Sequence, residues 1–90
     1  MFIIYRWLFL VMLQIILYEL DGCPSCALVR QKLDERKLSY ETVTVPRDRS
    51  DPLRQELFQK SGVPTVPVLQ LGDLYIGESA EIIAYVEERF

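Results

Sequence analysis

The two cysteines of this chain lie three positions apart, directly after a mostly apolar segment. Cys23 and Cys26 follow Asp21-Gly22, and the run from Leu13 to Leu20 before them suits a strand buried on both faces. Pro24 fits the first turn of a helix, where its missing N–H costs nothing. The unpaired amide groups at such a helix start, together with the helix dipole, stabilise a thiolate. We therefore predict a reactive dithiol at a strand–helix junction.

The composition excludes several other functions. Ninety residues make one domain, and a net charge of −3 argues against a nucleic-acid binder, which would show a basic face. Histidine is absent, which excludes Ser-His-Asp and Cys-His nucleophile pairs and His-ligated metal sites. Two cysteines cannot complete a tetrahedral metal site by themselves, and secreted disulfide scaffolds usually carry four or more. Redox chemistry in a reducing, cytoplasmic compartment is therefore the favoured interpretation, with no metal.

An apolar extension, residues 1–11, precedes the predicted domain, residues 12–90. The run from Phe2 to Leu17 contains Arg6 and Gln14, and it is shorter than the roughly 20 apolar residues that span a membrane. No small-residue cleavage site of a signal peptide follows it. We interpret the extension as a surface-packed segment or as a product of start-site choice at Met12, with a membrane anchor as the alternative.

Periodicity predicts the element order β-α-β-α-β-β-α. Cys26, Val29 and Leu33 form one apolar stripe of the first helix. The later strands are predicted over 40–45, 65–71 and 74–76, with the last two joined at 72–73. Asp51 caps a second helix that runs to about residue 60 and stops at Gly62, and Ser79 caps a third. The residues expected to face inward from these two helices are Leu53, Leu57, Phe58, Ile82, Ile83, Val86 and Phe90.

A βαβ unit followed by a hairpin and a helix gives an α/β fold with a mixed four-stranded sheet flanked by helices. Three sequence motifs then carry a resemblance: Cys23-Pro24-Ser25-Cys26, Thr65-Val66-Pro67 and Ile76-Gly77, with Tyr18 in the first strand. On these motifs residues 13–90 resemble the glutaredoxin family, which has the thioredoxin fold. The tail Gly77-Glu78-Ser79 is more similar to the N-terminal domain of glutathione transferases, where a Glu/Gln-Ser pair holds the γ-glutamyl end of glutathione.

The resemblance implies a thiol–disulfide oxidoreductase that reduces protein or glutathione mixed disulfides. It would be a monomer with glutathione as co-substrate and no permanently bound cofactor. Cys23 would attack the substrate disulfide and Cys26 would resolve the mixed disulfide. The bond Val66–Pro67 is expected to be cis and Val63–Pro64 trans. The residues expected to bind glutathione or substrate are Tyr18, Pro24, Val66, Pro67, Glu78 and Ser79.

Several alternatives stay open. Glutaredoxins usually carry a lysine three residues before the first cysteine, where this chain has Leu20, so another small thiol or a thioredoxin-reductase-type partner is an alternative reductant. Ser79 could be only a helix cap and Glu78 only a solvated charge, and Arg54 is read as a helix-surface charge. The alternative functions are a glutathione-binding module resembling a transferase N-terminal domain and a glutathione-dependent iron–sulfur carrier, which Pro24 disfavours.

Overall fold

The computed structural model describes residues 14–90. Its strands are β1 Ile15–Glu19, β2 Glu41–Thr44, β3 Val68–Leu71 and β4 Leu74–Gly77. Its helices are α1 Pro24–Glu35, α2 Pro52–Ser61 and α3 Ser79–Arg89. This confirms the predicted order, whereas the extension predicted over residues 1–11 lies outside the described residues. Within residues 14–90, no helix has the length and apolar character needed to cross a bilayer.

The four strands form one mixed sheet in the order β2-β1-β3-β4. β1 runs parallel to β2 and antiparallel to β3, and β3 runs antiparallel to β4. In this register Tyr18 lies opposite Val68, and Val68 lies opposite Gly77. The chain leaving β1, the chain entering β3 and the chain leaving β4 therefore meet at one end of the sheet.

Both faces of the sheet are covered by helices. α1 and α3 share a core with one face, whose buried members are Ile15, Leu17, Val29, Leu33, Leu69, Leu71, Ile82 and Val86. α2 covers the opposite face, where Val45, Leu57 and Val68 are buried. The predicted stripe of α1 is confirmed, since Cys26, Val29 and Leu33 are all fully buried.

The helix boundaries follow their capping residues. Asp51 accepts a hydrogen bond from the amide of Leu53 at 2.9 Å, as predicted for the start of α2. Gly62 ends α2 in the left-handed conformation, with φ 73°, where a residue with a side chain would be strained. Ser79 was predicted to cap α3, and this is wrong: Glu78 occupies the cap position and makes no side-chain capping bond.

Some strand and packing predictions are corrected by the structure. β3 begins at Val68 and not at Thr65, because Pro64 and Pro67 have no N–H to donate to a ladder. β2 is one residue shorter at each end than predicted.

Three side chains predicted to face inward are exposed instead: Leu53, Phe58 and Phe90. Phe90 follows the last residue of α3. On α2, Arg54 and Leu57 are the buried pair, three residues apart on one stripe, so Leu53 and Phe58 fall beside that stripe.

Candidate active site

Cys23 occupies the cap position at the start of α1. Its backbone is extended, with φ −87° and ψ 116°, and Pro24 follows as the first helical residue. The Cys23 sulfur accepts a hydrogen bond from the amide of Cys26 at 3.3 Å. A helix start with a sulfur in the capping position supplies hydrogen-bond donors and a positive dipole end to that sulfur. The side chain is partly exposed, so a substrate can reach it.

Cys26 lies one turn further along α1 in a different environment. Its side chain is fully buried, and both cysteines are free thiols. Burial raises the pKa of the Cys26 thiol from an ordinary value near 9 to about 11, and the hydrogen bond with Cys23 adds to the effect. The Cys26 thiol is therefore almost entirely protonated near neutral pH. The two sulfurs are thus unequal: Cys23 is accessible and capped by an amide, whereas Cys26 is enclosed and protonated.

The segment before β3 lies at the same end of the sheet as the dithiol. The peptide bond Val66–Pro67 is cis; Val63–Pro64 is not. Pro67 is buried, whereas Val66 is half-buried. Beside it lies a cleft of about 230 Å³, which is lined by Leu20, Arg47, Arg49, Arg54, Thr65 and Val66. The exposed Arg47 and Arg49 of this cleft give the acidic chain a locally cationic surface next to Leu20.

Glu78 and Ser79 begin α3 at this same end of the sheet. Glu78 has φ 64° and ψ 129°, a conformation that residues with a side chain rarely adopt. Its side chain is exposed, and its carbonyl accepts the first helical hydrogen bond from Ile82 at 3.0 Å. Ser79 is consequently the first residue inside the helix. Both side chains stand at a helix start, where amide groups attract negative charge.

Tyr18 is directed to the opposite side of the sheet from Cys26. Its hydroxyl donates to Oε1 of Gln70 in β3 at 2.6 Å. Burial raises the pKa of Tyr18, and the nearby Tyr75 adds to the effect. The ring lines a small pocket between the sheet and α2, about 60 Å³ in volume, with Leu57, Lys60 and Tyr75 among its walls. The Tyr18 hydroxyl is therefore engaged in a hydrogen bond with a residue of the neighbouring strand.

Arg54 is buried, so its interpretation as a surface charge is wrong. Its guanidinium donates to the carbonyls of Pro46 at 2.8 Å, Arg47 at 3.3 Å and Pro64 at 3.2 Å. These carbonyls belong to the loop after β2 and to the loop before β3, which both contribute walls to the cleft. Arg54 therefore links the two loops by hydrogen bonds from its buried position on α2. The position of Arg54, three residues before the buried Leu57, is the sequence signal that could have revealed it.

A second buried charge was also missed by sequence reasoning. Glu19 is buried at the end of β1 and forms an ion pair with Arg30 of α1. The signal is the alternation of the strand, because Glu19 continues the inward-facing series of Ile15 and Leu17. Within residues 14–90, no group of three or more cysteine, aspartate or glutamate side chains could hold a metal ion.

The comparisons with known proteins find glutaredoxins and glutathione transferases. Glutaredoxin 1 of Rickettsia conorii is 29% identical over 63 residues, which cover 70% of this chain and 62% of that protein. A glutaredoxin of Pseudomonas aeruginosa is also 29% identical over 63 residues, 70% of this chain and 73% of that protein. A Drosophila mojavensis glutathione transferase homologue, solved with bound glutathione, superposes with a TM-score of 0.75 and 28% identity over 88% of this chain and 36% of its own.

The fold and the site define a thioredoxin-like domain with a dithiol at a helix start. The family model described as glutathione S-transferase, N-terminal domain, matches residues 17–90, and the chain belongs to that family. Its relationship to glutaredoxins is confirmed by the curated relatives, although the matched part is 62% of the Rickettsia protein and about a third of the transferase chain.

Proposed function

We propose that this protein is a glutaredoxin-type thiol–disulfide oxidoreductase that uses Cys23 and Cys26. The observation that carries the proposal is the asymmetry of the two thiols: Cys23 is accessible and accepts an amide hydrogen bond, whereas Cys26 is fully buried. A nucleophilic sulfur needs access and stabilisation of its charge, while a resolving sulfur needs only to reach its neighbour. The glutaredoxins among the relatives support the same chemistry.

The reaction has two steps. In the first, the Cys23 thiolate attacks one sulfur of a substrate disulfide; a mixed disulfide forms, and the other substrate sulfur leaves as a thiolate. In the second, either Cys26 attacks the Cys23 sulfur, so that the Cys23–Cys26 disulfide forms and the bound half leaves as a thiolate, or the thiolate of glutathione attacks the sulfur of the bound half, so that a disulfide forms between these two and Cys23 leaves as a thiolate. The dithiol supplies two electrons when Cys26 resolves, and external glutathione or another reductant restores it.

Glutathione would lie across the sheet end where the dithiol, Val66 and α3 meet. The backbone of Val66 would pair with the peptide as an added strand. The start of α3, with Glu78 and Ser79, would hold the γ-glutamyl end. Leu20 replaces the lysine found in glutaredoxins, so the exposed Arg47 in the cleft beside it would bind the glycine carboxylate. Such chemistry suits the cytoplasm, where glutathione keeps the dithiol reduced.

The test compares wild type with Cys23→Ser and Cys26→Ser in the reduction of a glutathione mixed disulfide by glutathione. Cys23→Ser should abolish turnover, since no accessible sulfur remains. Cys26→Ser should keep a substantial part of the activity, because glutathione can resolve the Cys23 mixed disulfide. The two variants are matched, since each removes one sulfur atom from the same helix turn. Full activity of Cys23→Ser would refute the proposal.

A second candidate is a glutathione-binding module like the first domain of a glutathione transferase. The match to that family and the strained Glu78 at the start of α3 favour it. This module would bind glutathione tightly in calorimetry and show no reductase activity in the same preparation. Measurable reductase activity that depends on Cys23 would exclude it.

A further inference from the structure

A second cavity continues the cleft that lies beside Val66. Its volume is about 170 Å³, and it is lined by Arg49, Arg54, Gln55, Phe58 and Pro64. Because Arg49 and Arg54 border both cavities, the two form one groove, which we call the arginine groove. The groove leads from Leu20 past Arg49 to the exposed ring of Phe58. It therefore offers far more space than the single glycine carboxylate of glutathione fills.

The two exposed arginines of the groove have no acidic partner in the described part of the chain. None of the ion pairs found there includes Arg47 or Arg49. Asp48, which stands between them in sequence, accepts hydrogen bonds from the amide of Ser50 at 2.9 Å and from its hydroxyl at 2.7 Å. Arg47 donates to the main-chain carbonyl of Asp21 at 3.1 Å and not to its carboxylate. Two unpaired guanidinium groups on a chain of net charge −3 favour an anionic partner.

The loop that carries these arginines is held by side chains of α2. Arg54 donates to the carbonyls of Pro46 and Arg47, and Gln55 donates to the carbonyl of Arg49 at 2.7 Å. The backbone of both groove arginines is therefore positioned before a substrate arrives, which lowers the entropy lost on binding. Guanidinium groups bind carboxylates in a bidentate geometry, so acidic side chains are the partners that this loop suits best.

Resting on the proposed function, we propose that the arginine groove selects protein disulfides in which acidic residues follow the reacting cysteine. Thr65 and Val66 form no backbone hydrogen bond within the described residues, so an extended peptide can pair with them and continue along the groove. Arg47 then binds the first carboxylate after the cysteine, Arg49 binds the next, and Phe58 packs against an apolar side chain that follows. Glutathione ends at the first of these positions, so the other two serve protein substrates.

The bond changes are those of the dithiol. The Cys23 thiolate attacks the sulfur of the cysteine that precedes the acidic residues, and the other substrate cysteine leaves as a thiolate. Cys26 then loses its proton to solvent and attacks the Cys23 sulfur; the Cys23–Cys26 disulfide forms, and the bound cysteine leaves as a thiolate. Two electrons have passed from the dithiol to the substrate. The groove takes no part in these steps and raises kcat/KM by binding the substrate.

The test uses symmetric disulfide dimers of hexapeptides as probes. In one peptide, glycine and cysteine are followed by glycine, two glutamates and phenylalanine; in the other, two glutamines replace the glutamates. The prereduced full chain reduces each dimer in a single turnover, and chromatography of acid-quenched samples gives the second-order rate constants. At low salt, wild type should reduce the glutamate dimer about tenfold faster than the glutamine dimer, because each partly exposed ion pair contributes about threefold. This ratio should approach one at high salt.

Arg49→Gln should lower the ratio of the two rate constants to about threefold, because one of the two ion pairs is lost. Arg36→Gln is the matched control: it removes an exposed arginine just after the end of α1, changes the net charge equally and should keep the wild-type ratio. A further pair of dimers carries the two glutamates or glutamines before the cysteine. Their rate constants should differ by less than about twofold, since those residues would lie towards Glu78 and not in the groove.

Four results would overturn the inference. They are a wild-type ratio below about threefold, an unchanged ratio in Arg49→Gln, an equal loss in Arg36→Gln, and an equal gain from glutamates on either side of the cysteine. In each of these cases the dimers are still reduced, so the proposed function stands. If wild type reduces none of the dimers, the proposed function itself fails.

Discussion

Arg54 supports two loops from a buried position, and its removal has a cost that can be worked out from its hydrogen bonds. We consider Arg54→Met, which keeps an unbranched apolar stem of similar length and removes the guanidinium. The substitution leaves the carbonyls of Pro46, Arg47 and Pro64 without their donor. Because the stem still fills the space beneath the cleft, the lost free energy belongs mainly to these hydrogen bonds.

The magnitude follows from their lengths. The bond of 2.8 Å from a charged donor contributes about 2 kcal/mol, and the bonds of 3.2 Å and 3.3 Å about 0.5–1 kcal/mol each. The total of about 3 kcal/mol is a large part of the roughly 5–14 kcal/mol expected for a domain of this length. It corresponds to a fall in Tm of about 12–24 °C.

Urea unfolding followed by circular dichroism measures this loss, with Arg49→Met as the matched control. Arg49 is exposed in the same cleft, so its substitution should change the free energy of unfolding by less than about 0.5 kcal/mol. If Arg54→Met lost less than about 1 kcal/mol, or no more than Arg49→Met, the three bonds would not hold the loops, and the reasoning would be refuted.

Three further predictions concern the rest of the site. The folded state raises the pKa of Cys26 from near 9 to about 11, so it binds the thiol proton more tightly than the unfolded chain does, and the free energy of unfolding falls by about 2–3 kcal/mol as pH rises through this window. The urea midpoint should fall less steeply with pH in Cys26→Ala than in wild type, and equal pH dependence in the two proteins would contradict this prediction. Gly77→Ala would put a methyl group 2.6 Å from two methyl carbons of Val63 and should lower the free energy of unfolding, measured in urea, by about 1–3 kcal/mol. In the double variant, Val63→Ala should remove most of this loss, and additive losses of the two substitutions would contradict the clash. Glu78→Gly should raise the free energy of unfolding by about 1 kcal/mol, because glycine relieves the strained φ of this position. The same substitution should weaken glutathione binding in calorimetry, and an unchanged affinity would show that Glu78 is not part of the binding site.

Much of the fold follows from patterns that are local in the chain. The cap and proline at Asp51-Pro52, the glycine stop at Gly62 and the apolar stripe of α1 each depend on neighbours within a few residues, and all three occur as predicted. The same holds for the dithiol, because a cysteine before a helix-starting proline becomes the cap of that helix wherever the helix packs.

The sequence by itself therefore determined the element order, the sheet class and the position of the dithiol at a helix start. Only the tertiary structure decided which charges are buried. Arg54 is enclosed because two loops, distant from each other in sequence, bring their carbonyls to it, and Glu19 because α1 packs over the end of β1 and supplies Arg30. From the sequence alone a charged residue is predicted to be exposed, because the partners that stabilise it when it is buried come from other elements of the fold.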